Sequence, residues 1–269
     1  MIQPFNSKGA NPNLVGVRVL DLHLGVVAVR KKPEGGIEAP KPLIYGTAFP
    51  VLPGLFVTAG HVATDAEGDG IPGLVQITND RSVKAFEITQ FEVFQGIDLA
   101  LLECPGLKDL VPMVLEFDHE LTLLNPAYAI GYPYALDPEW VTVVARAFRG
   151  HVVTRRELYQ LNGQPAGYEL SFHAPQGLSG APVVSHVHGD HRCYGYIVGQ
   201  ATIGAGEEKA VVGVAVDIRI LLTLQTKILD IGPLALLFGR KPVTPRAPSP
   251  AQLPGGQKPI SGTDGWPEG

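Results

Sequence analysis

Short apolar runs separated by turn residues fill most of the chain between residues 14 and 216. The runs are rich in Val, Ile, Leu and aromatic residues, and Gly, Pro, Asn and Asp cluster between them, which is the pattern of β-strands joined by turns. Examples are residues 15–20, 25–29, 55–58, 99–103, 140–145, 181–184 and 194–198. Because long segments with helical spacing are missing here, the pattern predicts an all-β fold, either barrels or a sandwich.

The C-terminal part of the chain has a different pattern. Asp217 can cap a helix and apolar residues recur at helical spacing after it, so residues 218–229 are predicted to form a helix that covers a barrel. These apolar residues are Leu221, Leu224 and Ile228. Residues 231–238 form an apolar patch, which either docks another protein or packs on its own domain. Residues 240–269 are rich in Pro, Gly, Ser and Thr, which predicts a disordered tail.

Composition limits the classes of function. The 269 residues are 45% hydrophobic and 17% charged, as in a globular protein. The net charge of −5 gives no basic surface for a phosphate backbone, and no apolar run reaches the roughly 18 residues that span a bilayer, so neither nucleic acid nor membrane is an expected partner. Cys104 and Cys193 are the only cysteines, and residues 1–13 lack a secretion signal. We therefore expect a cytoplasmic protein without disulfides.

Three short segments each carry a chemically active side chain among small or apolar residues. The segment FVTAGHV ends an apolar strand and then presents His61. The segment GIDLALL places Asp98 directly before an apolar strand, where the carboxylate can orient a partner. The segment QGLSGAP sets Ser179 in a glycine-rich turn before another strand.

These side chains suit nucleophilic catalysis. A serine hydroxyl is a weak nucleophile until a base accepts its proton, and His61 would be that base because histidine titrates near neutral pH. Asp98 would orient the imidazole and stabilise its positive charge. The glycines allow a sharp turn, so that the backbone N–H groups of Gly177 and Ser179 can face a developing oxyanion.

The three segments resemble the Thr-Ala-Ala-His, Asp-Ile-Ala-Leu and Gly-Asp-Ser-Gly-Gly-Pro motifs of the trypsin/chymotrypsin superfamily, in that family's order. The chain is most similar to bacterial HtrA-like proteases and their intracellular relatives, over residues 14–229. The resemblance implies a protease domain of residues 14–230 with two Greek-key, six-stranded β-barrels, at about 14–115 and 120–216. It implies a bacterial serine endopeptidase that cleaves protein or peptide substrates through an acyl-enzyme, with no cofactor and no metal. Residues 231–269 lie outside this domain.

One departure from the family concerns activation. Leu178 precedes the serine, where trypsin has an aspartate that pairs with a new N-terminus after zymogen cleavage. That switch cannot operate here. The loop that forms the oxyanion hole must therefore be ordered by its own packing, by substrate or by an activating protein partner.

A second departure concerns specificity. By alignment with the family, His173 lies at the base of the primary substrate pocket, where trypsin has an aspartate. A protonated His173 would accept an acidic substrate side chain, or the ring would instead pack against Tyr168 or Phe172. The resemblance also implies a pocket wall that pairs with the extended substrate. This wall consists of Val198, Gly199, Gln200, Ala201 and Thr202.

Two further hypotheses compete with this interpretation. The segment HVHGDHRC suggests a hairpin with a two-residue Gly-Asp turn, in which His188 faces His191 and His186 faces Cys193. Such a hairpin would either bind zinc or be a polar surface turn. For the whole protein, the alternative to an enzyme is a catalytically silent binding module with the protease fold.

Overall fold

The protein is described from a computed structural model, which covers residues 24–31, 37–38, 44–69, 71–77, 83–94, 96–133, 145–156, 160–161, 164–204, 209–228 and 232–242. The strand predicted at 15–20 and nearly all of the strand predicted at 140–145 lie outside these residues. The tail beyond residue 242, which the composition predicts to be disordered, also lies outside them.

Eight strands of the N-terminal half form one curled antiparallel sheet, called here the first barrel. They are β1 Leu24–Lys31, β2 Ile37–Glu38, β3 Ile44–Leu52, β4 Leu55–Ala59, β5 Ile71–Ile77, β6 Val83–Glu87, β7 Gln90–Phe94 and β8 Leu99–Glu103. Their order across the sheet is β6-β5-β1-β3-β4-β8-β7, and β2 pairs with β1. A short 3₁₀ helix, Pro105–Leu107, follows β8.

The C-terminal half contains a closed six-stranded barrel, called here the second barrel. Its half of the chain has strands β9 Pro126–Gly131, β10 Arg146–Arg155, β11 Gln160–Leu161, β12 Gln164–Pro165, β13 Gly167–Leu170, β14 Pro182–Ser185, β15 Arg192–Ile203, β16 Ala210–Asp217, β17 Gln225–Thr226 and β18 Gly232–Pro233. The barrel order is β10-β13-β16-β15-β14-β9, while β11–β12 and β17–β18 form separate pairs. The all-β, chymotrypsin-like double-barrel fold class is thereby confirmed, although the first barrel has eight strands and is not closed within the described residues.

In the part of the chain that the structure describes, apolar side chains form three clusters: one inside each barrel and one between the barrels. Strand β4 is buried on both faces: one face contacts the cluster inside the first barrel and the other contacts the cluster between the barrels. Phe56 points into the first barrel, whereas Val57 points toward the second. The cluster between the barrels includes Phe49, Val57, Leu101, Tyr196 and Val216.

Helix α1, Gly60–Asp69, follows β4 directly, and the sequence pattern did not predict it. Val62, Ala63 and Ala66 are fully buried against the first barrel, and their spacing places them on one face of the helix. Three small side chains give only a weak helical signal in the sequence. The helix matters for the site because its second residue is His61.

The helix predicted at 218–229 is wrong in type and length. Residues Ile218–Thr223 form a 3₁₀ helix, in which the Asp217 carboxylate accepts a hydrogen bond from Arg219 N as the predicted cap. The chain leaves the helix at Leu224, which is extended (φ −88°, ψ 143°), and continues into β17. Four of the six helical residues are buried, so the burial surrounds the helix and does not form the single apolar face that the spacing suggested.

The apolar patch at 231–238 packs on its own domain where it is described. Residues Leu234–Leu237 form one helical turn, and Leu234 and Ala235 are fully buried. The Phe238 ring lies 5.1 Å from the ring of Phe117. Among the described residues, none of the helices is long and apolar enough to cross a membrane.

A network of charged side chains around the buried Asp217 joins the 3₁₀ helix to the second barrel. The Asp217 carboxylate accepts hydrogen bonds from Arg219 Nη2 and from the Tyr168 hydroxyl, both at 2.7 Å. Glu120 binds Arg219 at 2.8 Å and Arg155 at 2.9 Å. Burial and the charge of Asp217 raise the pKa of Tyr168 well above its ordinary value. Asp217 is therefore the centre of a network whose members compensate one another's burial.

Replacing Asp217 by alanine should destabilise the fold by about 3–5 kcal/mol, because the change leaves the buried Tyr168 hydroxyl without its acceptor and removes one of the two carboxylates that bind Arg219. Asp118 is a matched control, since its carboxylate also binds an arginine, Arg240, at 2.7 Å but is exposed. Urea unfolding should show a large loss for Asp217→Ala and little change for Asp118→Ala. Equal effects of the two changes would contradict this description of the network.

Candidate functional site

The ends of two paired strands bring His61 and Asp98 together. Ala59, the last residue of β4, pairs with Leu99, the first residue of β8, so the adjoining residues meet at one end of the sheet. His61 Nδ1 lies 2.9 Å from Asp98 Oδ2 and 3.1 Å from Oδ1. The backbone N–H of His61 also donates to Asp98 Oδ1, at 2.9 Å. The carboxylate therefore holds both the ring and the backbone of His61.

The backbone around Asp98 adopts a conformation that supports this contact. Asp98 has a φ of 46°, in the left-handed region that aspartate tolerates better than most residues. Gly60 leaves room for the carboxylate, since a Cβ there would lie 3.1 Å from Asp98 Oδ1. From the second barrel, the buried Tyr196 hydroxyl donates to Ile97 O at 3.0 Å and so holds the residue before Asp98.

The electrostatics of the pair favour an ionised carboxylate and stabilise the protonated form of the imidazole. Burial disfavours the charged ring, but the hydrogen bond and the negative charge of Asp98 outweigh it and raise the pKa of His61 above its ordinary value. Burial opposes ionisation of Asp98 too, and its hydrogen bonds with His61 and the charge of that ring lower its pKa overall. Because Nδ1 faces the carboxylate, it carries the proton of the neutral ring, and Nε2 is free to accept one.

Ser179 lies in the loop of residues 171–181 between β13 and β14, called here the serine loop. Its carbonyl oxygen accepts a hydrogen bond from Thr47 N on β3, at 2.8 Å. A Cβ on Gly46 would lie 2.7 Å from Ser179 O and 2.5 Å from Val62 Cγ2. The serine loop therefore contacts the first barrel beside the residue that follows His61, and the Ser179 side chain is half-buried.

Among residues 177–181 of the serine loop, two backbone N–H groups have no acceptor. The amides of Leu178, Gly180 and Ala181 each donate to a backbone carbonyl, at 3.0, 2.7 and 2.9 Å. Within the described part of the chain, the amides of Gly177 and Ser179 donate to none. These are the two donors that the sequence predicts for an oxyanion hole.

The structure does not join the serine hydroxyl to the imidazole. No hydrogen bond links Ser179 Oγ to His61 among the residues described here. In unliganded enzymes catalytic hydrogen bonds are often long and shorten when substrate binds. Of the three predicted side chains, His61 and Asp98 are thus in direct contact, and Ser179 lies in the adjoining loop.

The predicted substrate-binding wall is the distal half of β15. Strand β15 pairs with β14 only as far as Tyr196, whereas its pairing with β16 continues to Ile203. Residues 198–202 therefore have one edge without a strand partner in the described part of the chain. These half-buried or exposed residues are Val198, Gly199, Gln200, Ala201 and Thr202.

His173 is exposed in the serine loop; the carbonyl of the adjacent Phe172 accepts a hydrogen bond from Gly213 N, and Gly213 pairs with Gln200 of β15. Its ring makes no aromatic contact with Tyr168 or Phe172 among the described residues. The guanidinium of Arg155 lies over the Tyr168 ring at 4.8 Å, and the Phe172 ring lies 6.1 Å from that of Phe148. The alternative in which His173 packs on these rings is therefore not observed.

The histidine hairpin differs from the one that the sequence suggests. Ser185 pairs with Arg192 and Val184 with Cys193, so the connection has six residues, 186–191, and the predicted pairing of His188 with His191 and of His186 with Cys193 is wrong. Cys193 is fully buried, its thiol donates to Gly195 O, and burial raises its pKa to about 12. The described residues contain no group of three or more side chains arranged to bind a metal. Cys193 is therefore not available as the fourth zinc ligand, and the pairing that the zinc hypothesis requires is not observed.

Two buried polar residues near the site were not predicted from the sequence: Thr47 and Tyr196. Each lies in an apolar strand, and each reaches across to the other barrel, Thr47 to the serine loop and Tyr196 to Ile97. The sequence signal that could have found Thr47 is a polar side chain within the apolar run IYGTAFPVL. A buried hydroxyl needs a hydrogen-bond partner, but the sequence does not say which one.

The two barrels and the site between them define the trypsin-like class of protease folds. Residues 46–190, more than half of the chain, match the family described as trypsin-like peptidase domain. The chain belongs to this family.

Solved structures support the same fold. The apo form of the MamO protease domain from Magnetospirillum magneticum is 18% identical with a TM-score of 0.55, and the match covers 78% of this chain and 98% of that one. Rv3671c from M. tuberculosis H37Rv, a serine-to-alanine mutant in an inactive form, is 17% identical with a TM-score of 0.52, and the match covers 81% and 90%. At these identities the likeness concerns the fold alone. A comparison with curated protein sequences finds no match.

Replacing Asp98 by asparagine should lower the pKa of His61, because the change removes the negative charge that raises this pKa and leaves the burial that lowers it. An NMR titration of the His61 ring protons measures this directly. Asp65 is the matched control, since its charge makes a smaller contribution to the raised pKa of His61. Asp65→Asn should lower that pKa less than Asp98→Asn. An unchanged pKa in Asp98→Asn would contradict the assigned electrostatics.

The hydrogen bond from Tyr196 to Ile97 should contribute about 1 kcal/mol to stability. Tyr196→Phe should therefore lower the free energy of unfolding by about that amount. Tyr194 is the control: it is equally buried, but its hydroxyl has no hydrogen-bond partner among the described residues. Tyr194→Phe should be neutral or slightly stabilising in the same urea titration. A larger loss of unfolding free energy in Tyr194→Phe than in Tyr196→Phe would contradict the role given to the Tyr196 hydrogen bond.

Proposed function

We propose that this protein is a serine endopeptidase that hydrolyses peptide bonds of protein substrates through an acyl-enzyme. The family supports a protease-type function. The observation that carries the proposal is the hydrogen-bonded His61–Asp98 pair next to a serine loop in which the amides of Gly177 and Ser179 are unpaired.

In the proposed reaction, Ser179 Oγ attacks the carbonyl carbon of the scissile bond and His61 Nε2 accepts the hydroxyl proton. Asp98 stabilises the imidazolium that forms, while the amides of Gly177 and Ser179 bind the oxyanion. His61 then gives its proton to the leaving amine, and the acyl group stays on Ser179 Oγ. A water molecule attacks the acyl-enzyme with His61 again as the base, which releases the carboxylic acid and restores the serine.

Substrate would bind along the unpaired edge of β15. An extended peptide can add to residues 198–202 as a further antiparallel strand, with backbone hydrogen bonds that do not depend on its side chains. His173, exposed near this edge, would favour an acidic side chain before the scissile bond when its ring is protonated. This preference rests on the family alignment of His173.

The proposed enzyme needs no zymogen cleavage. Leu178 is fully buried in the cluster inside the second barrel, where an aspartate would need a cationic partner. This burial favours a serine loop that is ordered by its own packing, with an activating protein partner as the alternative. The proposed setting is a bacterial cytoplasm, consistent with two cysteines that are both free and buried.

A fluorophosphonate probe tests the proposal, because it reacts with a serine only where a base and an oxyanion hole activate it. We expect labelling of the native protein, no labelling of Ser179→Ala and a loss of about 10⁴-fold or more in His61→Ala. Ser171→Ala is the matched control: Ser171 is in the same loop, and its Oγ lies 3.2 Å from a histidine nitrogen, His151 Nδ1. This control should keep the label.

Two outcomes would contradict the proposal. Labelling that survives Ser179→Ala would place the nucleophile elsewhere. A native protein that is never labelled would favour the catalytically silent binding module, in keeping with the missing hydrogen bond between Ser179 Oγ and His61 in this structure.

A further inference from the structure

We propose that Thr47 is a positioning residue for the oxyanion hole: its buried hydroxyl fixes the carbonyl of Gly177 and thereby the direction of the free Ser179 amide. This inference rests on the proposed protease function and extends it to a residue in the other barrel. It also explains how the serine loop is ordered without a zymogen switch.

Thr47 is fully buried at the junction of the barrels and uses every polar group it has. Its hydroxyl donates to Gly177 O at 3.0 Å and accepts from Tyr132 N at 3.1 Å. Its backbone N–H donates to Ser179 O at 2.8 Å, and its backbone carbonyl accepts from the Thr58 hydroxyl at 2.8 Å. Because the Tyr132 amide occupies a lone pair of the hydroxyl, the hydroxyl proton is left to point at Gly177 O.

These contacts hold two peptide groups of the serine loop from both sides. In the peptide between Gly177 and Leu178, the carbonyl binds Thr47 Oγ1 and the N–H binds Pro175 O at 3.0 Å. In the peptide between Ser179 and Gly180, the carbonyl binds Thr47 N and the N–H donates at 2.7 Å to a carbonyl of β15. Neither peptide group can rotate without breaking a bond to Thr47.

The peptide between these two carries one of the free donors. Leu178 O accepts a hydrogen bond from Ala181 N at 2.9 Å, and the carbonyl and N–H of a trans peptide point in opposite directions. The Ser179 N–H is therefore directed away from the body of the loop. The two adjacent peptide groups are held by Thr47, and this keeps the Ser179 N–H pointing in that direction.

The Thr47 hydroxyl is needed to orient this peptide because residue 177 is a glycine. Its φ of 89° lies in the region that glycine enters freely, and a Cβ at this position would collide with Tyr132 O. A glycine has little intrinsic preference for one peptide orientation, so an outside bond must select it. Thr47 Oγ1 supplies that bond.

The test compares Thr47→Val, which keeps the shape of the side chain and removes the hydroxyl, with Thr47→Ser, which keeps the hydroxyl. Loss of a direct oxyanion donor lowers kcat by about 10²–10³, so an indirect effect should be smaller. For Thr47→Val we expect a fluorophosphonate labelling rate roughly 10- to 100-fold below that of the native protein, with kcat for a peptide substrate reduced more than KM is changed. Thr47→Ser should restore both to within about threefold of the native values.

Thr226 provides the control for a purely structural effect. It is a buried threonine whose hydroxyl also donates and accepts, to Glu92 Oε2 at 2.8 Å and from Ile228 N at 3.0 Å. Thr226→Val should lower the melting temperature but leave the labelling rate unchanged. If Thr47→Val does not fold, Thr47→Cys fills similar space with a weak donor and should show the same slower labelling.

Crystal structures of the variants give a readout that does not require catalysis. The Gly177 carbonyl should point at residue 47 in the native protein and in Thr47→Ser, and turn away in Thr47→Val. An unmoved carbonyl, or native labelling rates in Thr47→Val, would overturn the positioning role. A native protein that is not labelled would contradict the proposed function, and the carbonyl direction would still decide the role of Thr47.

Discussion

Polar groups buried at the junction of the two barrels must find hydrogen-bond partners, and the arrangement of the site follows from how they do so. Thr47 reaches from the first barrel to the serine loop of the second. Tyr196 reaches in the opposite direction, from the second barrel to Ile97 beside Asp98. Each barrel therefore holds in place the reactive segment of the other, and the site forms only where the barrels meet.

This arrangement divides the chemistry between two rigid supports. The first barrel carries His61 and Asp98 on the ends of adjacent strands, where one carboxylate fixes the ring and sets its proton affinity. The second barrel carries Ser179 in a loop where the amides of Gly177 and Ser179 are unpaired, while those of Leu178, Gly180 and Ala181 are hydrogen-bonded. The apolar cluster between the barrels keeps these supports at a fixed separation. The proposed proton transfer and oxyanion binding would thus depend on separate structures held by one interface.

Local information in the sequence was enough to predict the contact between His61 and Asp98. A histidine after small residues, an aspartate before a strand and a serine between glycines are each encoded within a few neighbouring residues. Sequence reasoning failed where the structure is determined by contacts between residues far apart in the chain. Thr47 and Gly177 are 130 positions apart, and Tyr196 and Ile97 are 99 apart, so no local pattern relates them. The 3₁₀ helix and the register of the histidine hairpin likewise depend on what each segment packs against, as the burial of Cys193 shows.

The central claim is that Ser179, His61 and the amides of Gly177 and Ser179 act on a single reacting centre. A crystal structure of the native protein after reaction with a small alkyl fluorophosphonate tests this most directly. The account predicts a covalent bond from phosphorus to Ser179 Oγ, with the phosphoryl oxygen about 3 Å from both amide nitrogens. A phosphorus atom on another side chain, or a phosphoryl oxygen directed away from both amides, would contradict it.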